Sequence, residues 1–357
     1  MLPRACPCTV ILLVLLVTGV SGCQKPAERV FEFSTDASSR AGMVALEDSV
    51  VLGNEVGAVV RLDRRGEPVW RVKFAQEVAA RPTVSGNSVI VGTVGGELAS
   101  LGLADSTERW RVTGEPPVLT PLVSDTTSVY VLGPDGAVRA HALDTGKLRW
   151  RRPPPKAEEA RIDPTQRLPT PVLGEGVLVV SLGEAGLMGL STTDGAIRWR
   201  HPLPQPLGMT REGDTLYASA RTGRVIALAI ADGVPRWEQA PATGLTSPPT
   251  YALGTLWVGA EPPELLALSP SDGKRLSGIA LPAPLVTQLA VYGNLLLVAT
   301  SSRQGQLLGL RSQGGPPVFS LRTDTPLRTP PVVVGDQLFV LGLDGRVLSW
   351  SLRVPDP

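Results

Sequence analysis

This 357-residue chain predicts an all-β fold, an eight-bladed β-propeller of four-stranded antiparallel blades, on three observations. The first is a mark that recurs at a nearly fixed period. A Gly or Ser stands four residues ahead of a Trp in five of seven copies, and ahead of Ser or Phe in the other two. The copies are Gly66/Trp70, Ser106/Trp110, Gly146/Trp150, Gly195/Trp199, Gly233/Trp237, Gly273/Ser277 and Gly315/Phe319, at intervals of 40, 40, 49, 38, 40 and 42 residues. A period near 40 belongs to stacked or radial repeat architectures. The second is another turn marker nine or ten residues upstream of each mark: Gly57, Gly96, Gly136, Gly186, Gly223, Pro263 and Gly305, with Gly345 left over. The third is the alternation of short apolar runs with tight-turn tripeptides, such as Ser128 to Leu132, Pro134-Asp135-Gly136, Ala137 to Leu143, then Asp144-Thr145-Gly146. That pattern reads strand, turn, strand, turn, strand.

A leading strand in each repeat opens near Thr/Pro residues, as at Pro82-Thr83, Thr120-Pro121, Thr170-Pro171, Pro249-Thr250 and Thr329-Pro330. This brings the count to four strands per repeat, the content of a propeller blade. The last repeat stops after Val347 to Trp350, one strand short. Val30-Phe31-Glu32-Phe33-Ser34 resembles the outer-strand segments and has no inner strands of its own, so it is the expected eighth outer strand. Pairing the two ends closes the ring and removes an open sheet edge.

Residues 30–357 then form one domain, because radial repetition gives each blade joint its own core and escapes the size limit of a single core. No segment keeps apolar residues at helical spacing, so helix content should be minor. The 49-residue interval places a long Pro-rich loop, Pro153 to Pro169, between the third and fourth repeats. Ser277 breaks the Trp series, which predicts the weakest joint beside the sixth repeat.

The N-terminus predicts location. Arg4, the apolar run Val10 to Val17 and the small residues before Cys23 describe a secretory leader of residues 1–22. The Gly-Val-Ser-Gly-Cys ending resembles a bacterial lipobox, which implies cleavage before Cys23, lipid on Cys23 and a tether over residues 23–29. Gln24 in place of an Asp favours the outer membrane, with the fold facing the periplasm.

Composition narrows the functions. Cys6 and Cys8 leave with the leader and Cys23 is taken by the anchor, so no disulfide or thiol nucleophile is expected. His141, in an expected strand, and His201, in an expected loop, are the two imidazoles, and no Cys/His cluster offers a zinc site. The leader carries only Arg4, so its removal leaves 33 basic against 33 acidic residues, and nothing steers the chain to nucleic acid. Arg149, Arg151 and Arg152 cluster, which reads as alternate side chains on a solvated outer strand. The recurring Trp70, Trp110, Trp150, Trp199 and Trp237, with Phe319, are read as wedges at blade joints rather than as a ligand site, since a ligand site is rarely copied five times.

The segments Ala140 to Trp150, Gly189 to Trp199 and Ala227 to Trp237 resemble the PQQ-type propeller repeat, Ala-Leu-Asp-x-x-(Asp/Thr)-Gly-x-x-x-Trp, over nearly all of residues 30–353. With the lipobox and eight blades, the chain is similar to the BamB-like family of outer-membrane assembly lipoproteins. That resemblance implies a non-enzymatic scaffold without cofactor, monomeric within a complex, with BamA and unfolded barrel precursors as partners. It also implies partner contacts in the long loop, around Arg161, Asp163, Gln166, Arg167 and Leu168, though Gln166, Arg167 and Leu168 stand where the family carries acidic residues. Two other readings share the repeat: an envelope lipoprotein with a different partner, and, more remotely, a quinoprotein dehydrogenase, a class that resembles this chain in blade motif only, is much longer and carries a calcium-binding set and an adjacent Cys pair, of which the Cys pair cannot exist here.

Overall fold

A computed structural model describes residues 25–155 and 168–353. They form eight four-stranded antiparallel sheets, and the single helical element among them is a 3-10 turn at Gly183–Ala185. Blade 1 shows the plan: Met43–Ala45 is innermost, followed outward by Ser49–Gly53, Ala58–Asp63 and Pro68–Lys73. Blades 2 to 7 repeat it over residues 83–112, 123–152, 172–201, 206–239, 250–280 and 290–322.

Blade 8 takes three strands from the C-terminus, Val332–Val334, Gln337–Leu341 and Arg346–Leu352, and its outer strand, Ala27–Ser34, from the N-terminus. This closing strand begins three residues earlier than expected, with Ala27 opposite Leu352, so residues 27–29 are paired strand rather than tether. His201 is likewise the last residue of the outer strand Ile197–His201, not a loop residue. Most Thr-Pro pairs stand just before the inner strands, in the linkers that enter the channel; Thr83 and Thr250 alone begin a strand.

The middle strands carry the core. Their apolar runs are buried on both faces, as at Ser88–Gly92 and Leu98–Gly102, because each blade is sandwiched between two others. Eight apolar clusters follow, one at each joint: Trp199, Val179 and Leu216 between blades 4 and 5, for example, and Val347, Phe339 and Leu52 between blades 8 and 1.

The Gly and Trp of one repeat serve different joints. The Gly, in the turn before the outer strand, supports the indole of the preceding blade. A Cβ on Gly146 would lie 2.5 Å from the Trp110 ring, one on Gly195 2.6 Å from Trp150, one on Gly233 2.6 Å from Trp199 and one on Gly273 2.5 Å from Trp237. All four have φ near +70°, where a side chain is strained in any case. Each indole also donates its Nε1–H across the joint: Trp70 to the Leu103 carbonyl at 2.8 Å, Trp110 to Leu143 at 2.9 Å, Trp150 to Thr192 at 2.9 Å, Trp199 to Ile230 at 3.0 Å and Trp237 to Pro270 at 2.8 Å. Phe31 of the closing strand takes the same station over Gly66, at 2.6 Å from a Cβ built there. Gly315, which follows the sixth blade with Ser277 in place of an outer-strand Trp, has open space instead.

Candidate functional site

Each blade linker runs from an outer strand to the inner strand of the next blade, so all linkers emerge on one face, around the central channel. The turns between second and third strands share that face. There the channel opens into a cavity of about 760 Å³ lined by linker residues such as Gly42, Arg81, Leu168, Thr287 and Thr329, and by Glu184 and Arg221 from the turns of blades 4 and 5.

The loop expected to contact a partner leaves blade 3 after Arg152 and rejoins the fold at Leu168 on this face. Arg161, Asp163, Gln166 and Arg167 lie outside the described residues, as does Cys23. Leu168 is only 8% exposed and packs with Tyr130, Leu132 and Val180 at the joint of blades 3 and 4. Its side chain therefore fixes the end of the loop at the cavity wall and has little surface left for a partner.

Four arginines stand in the cavity lining. Arg40 is held by Glu55, Nε to Oε1 3.2 Å. Arg81 is partly buried, and that burial pushes its guanidinium below the ordinary arginine range. Arg221 and Arg328 are exposed. Sequence reasoning missed all four, because they occupy different linker and turn positions and only the ring brings them together.

Arginines of the outer strands, Arg149 of the sequence cluster among them, do other work. Arg109, Arg149, Arg198 and Arg236 each precede the outer-strand Trp at a recurrent β-bulge, where the outer strand carries one extra residue. Arg109 reaches back to Ser88 Oγ at 2.7 Å and Arg149 to Ser128 Oγ at 2.8 Å, while Arg236 donates to Thr215 Oγ1. In blade 1, whose bulged residue is Val69, Arg61 makes the equivalent bond to Ser49 at 2.9 Å. These side chains brace the blade from outside. Arg149 is thus a latch as well as a solvated residue.

The two imidazoles sit apart from the channel lining. His141 is buried, with Nδ1 3.0 Å from the Gly146 carbonyl and Nε2 3.7 Å from Glu115 Oε1, and Glu115 also holds Arg139 at 3.1 Å. His201 Nε2 is buried without a partner, and burial lowers its pKa. Among the described residues, no group of three or more His, Cys, Asp or Glu is placed to hold a metal ion.

The family profile and the curated relatives point to one family. A family profile described as outer membrane protein assembly factor BamB matches residues 24–168, 134–288 and 264–353. Curated proteins with that same description include one from Yersinia pestis, 28% identical over 65% of this chain and 62% of its own length, and one from Moranella endobia, 26% identical over 61% and 59%. The chain thus spans about three fifths of each of those two. A Burkholderia pseudomallei relative is 25% identical over 87% of this chain and 84% of its own length. Among solved structures, BamB from Moraxella catarrhalis superposes with a TM-score of 0.74 at 16% identity, covering 91% of this chain and 100% of its own. A quinohemoprotein alcohol dehydrogenase from Comamonas testosteroni superposes at 0.71 with 14% identity, covering 93% of this chain and 78% of its own. At these identities the superpositions speak to the propeller alone.

Proposed function

This chain belongs to the BamB family of outer membrane protein assembly factors, and from that premise we propose that it is a non-enzymatic scaffold of β-barrel assembly, holding BamA, unfolded barrel precursors or both. The observation that carries the reading is the family profile, which runs through residues 24–353 in three overlapping stretches and leaves no blade outside it. The architecture suits the role. A closed ring with bulged, arginine-latched outer strands is a rigid platform, and recognition is left to loops on the linker face.

The reading includes the anchor. Cys23 carries the lipid after removal of residues 1–22, and the propeller faces the periplasm from the outer membrane. Replacement Cys23→Ser should abolish labelling by radioactive palmitate and release the protein from membranes. Retention of both label and membrane attachment would exclude this anchor.

The assembly role is tested by affinity purification of the tagged lipoprotein from its own membranes, with outer-membrane barrel levels measured in a deletion strain. BamA should copurify and barrel levels should fall. Recovery of other partners without BamA, with normal barrel levels, would instead favour an envelope adaptor of different specificity.

A further inference from the structure

Among the described residues, three of the four arginines at the channel mouth have no counter-charge. Arg81, Arg221 and Arg328 make no side-chain hydrogen bond or ion pair with any described residue, and Glu184 is the one carboxylate among the residues lining this cavity. Arg81 is the most telling of the three, because a partly buried cation without a counter-charge is unfavourable unless something else supplies the anion. Beside it stands Gly42, with φ +84° and no side chain; a Cβ there would lie 3.7 Å from Thr329 Cβ and 3.8 Å from Arg81 Cβ. Blades 8, 1 and 2 therefore meet at one point. Thr329 is 6% exposed, and its Oγ1 has no hydrogen-bond partner. An unpaired buried hydroxyl and a part-buried guanidinium, with side-chain-free backbone between them, leave donors here that no described side chain satisfies.

We propose that the channel mouth binds the carboxylates of an acidic peptide segment of a protein partner, with Arg81 and Thr329 as the inner donors and Arg328 and Arg221 as the outer ones. Guanidinium forks pair with carboxylates through two parallel hydrogen bonds, which suits arginine rather than lysine at all three positions. A cavity of about 760 Å³ is far larger than one small anion needs and takes several residues of an extended chain. The choice of a peptide over a free anion rests on the family reading, in which the partners are proteins.

The test uses the full-length lipoprotein in uncharged detergent and fluorescein-labelled hexaglutamate, followed by anisotropy. Hexaglutamate should bind saturably and weaken as salt rises. Arg328→Gln, at an exposed position, should lower affinity by about tenfold, the loss expected for one charge-assisted contact, and Arg81→Gln with Arg328→Gln by more. A thermal melt of each variant checks that the fold is intact, and Arg328→Gln keeps the test valid if Arg81→Gln does not fold. Failure of the wild type to bind, or equal affinity in wild type and Arg328→Gln, would overturn the proposal. So would thermal stabilisation by inorganic phosphate with no binding of hexaglutamate, which marks a small-anion site. Copurification of BamA from the same membranes reads the family role separately: BamA recovered without hexaglutamate binding removes the channel site alone, and the converse removes the BamA assignment alone.

Discussion

Trp257 and Ser277 stand in one cross-strand row, separated only by Ala267, on the face of blade 6 that meets blade 7. In blades 2 to 5 the same row ends in a large outer-strand indole: Ile90–Ser100–Trp110, Tyr130–Ala140–Trp150, Val179–Gly189–Trp199 and Tyr217–Ala227–Trp237. In blade 6 the bulk has moved two strands inward. Trp257 is 2% exposed and donates Nε1–H to the Ala252 carbonyl at 3.1 Å. Replacing Trp257 with Ala should therefore destabilise the protein by about 3–5 kcal/mol, as for other buried aromatic truncations. Denaturant titration measures it; a loss near zero would mean that this joint does not depend on the inner indole.

Trp150→Ala removes an indole that is hydrogen-bonded to Thr192 and tilted against Tyr130 at 5.9 Å. The expected loss is about 3 kcal/mol, the low end for aromatic truncation because the ring is only partly buried, and the melting temperature should fall by several degrees. An unchanged melting point would show that the indole does not hold blades 3 and 4 together.

Gly195→Ala and Gly315→Ala form a matched pair. Both glycines have positive φ, so both alanines suffer left-handed strain of about 1–2 kcal/mol. At Gly195 the new Cβ also meets the Trp150 ring, which adds an overpacking cost of about 1–3 kcal/mol, whereas Gly315 has open space. The first variant should melt lower than the second. Equal melting temperatures would contradict the Gly-to-Trp contact as the reason for glycine at these turns.

Phe31→Ala should weaken ring closure. Phe31 lies on Gly66 of blade 1 and meets the Phe339 ring edge-on at 5.8 Å, so truncation should cost about 3 kcal/mol. Fraying of the closing strand would expose the third strand of blade 8 as a free edge, and association should rise with it. Size-exclusion chromatography at increasing concentration reports this; a variant that stays as stable and as monomeric as wild type would refute it.

Acid sensitivity should carry a histidine component. Burial holds the folded pKa of His201 below its ordinary value, despite Glu238 nearby and with Arg224 acting in the same direction as burial. The unfolded chain therefore takes the proton first. The stabilisation is fully present above the unfolded value of about 6.5 and is lost as pH falls through the lower folded value. His201→Asn should flatten the stability profile below about pH 6.5. Parallel profiles for variant and wild type over that window would exclude the assignment.

Much of the ring was legible because repetition amplifies weak local signals. One Gly four residues before a Trp means little; seven copies fix blade number, turn positions and the need for a closing strand. What escaped was whatever the chain brings together from different repeats. The spacing of Gly195 and Trp199 invites a local pairing, yet the Gly195 partner is Trp150 of the blade before. Trp257 lies outside the recurring register, so the compensation for Ser277 left no periodic trace. Arg149 is solvent-facing as expected, but its latch to Ser128 escaped because a bulge cannot be read from alternation alone. Arg81 and Thr329 are about 250 residues apart in the chain and neighbours only through closure of the ring.

The direction of the closing strand sets the posture of the whole molecule at the bilayer. Ala27 pairs with Leu352 at the end of blade 8 remote from the linkers, and Ser34 passes into the linker that reaches the channel mouth. Under the proposed anchor, Cys23 stands four residues before Ala27, a leash of at most about 14 Å at full extension. So short a leash holds the underside of the ring to the lipid and turns the arginine-rimmed opening outward, toward whatever crosses the periplasm.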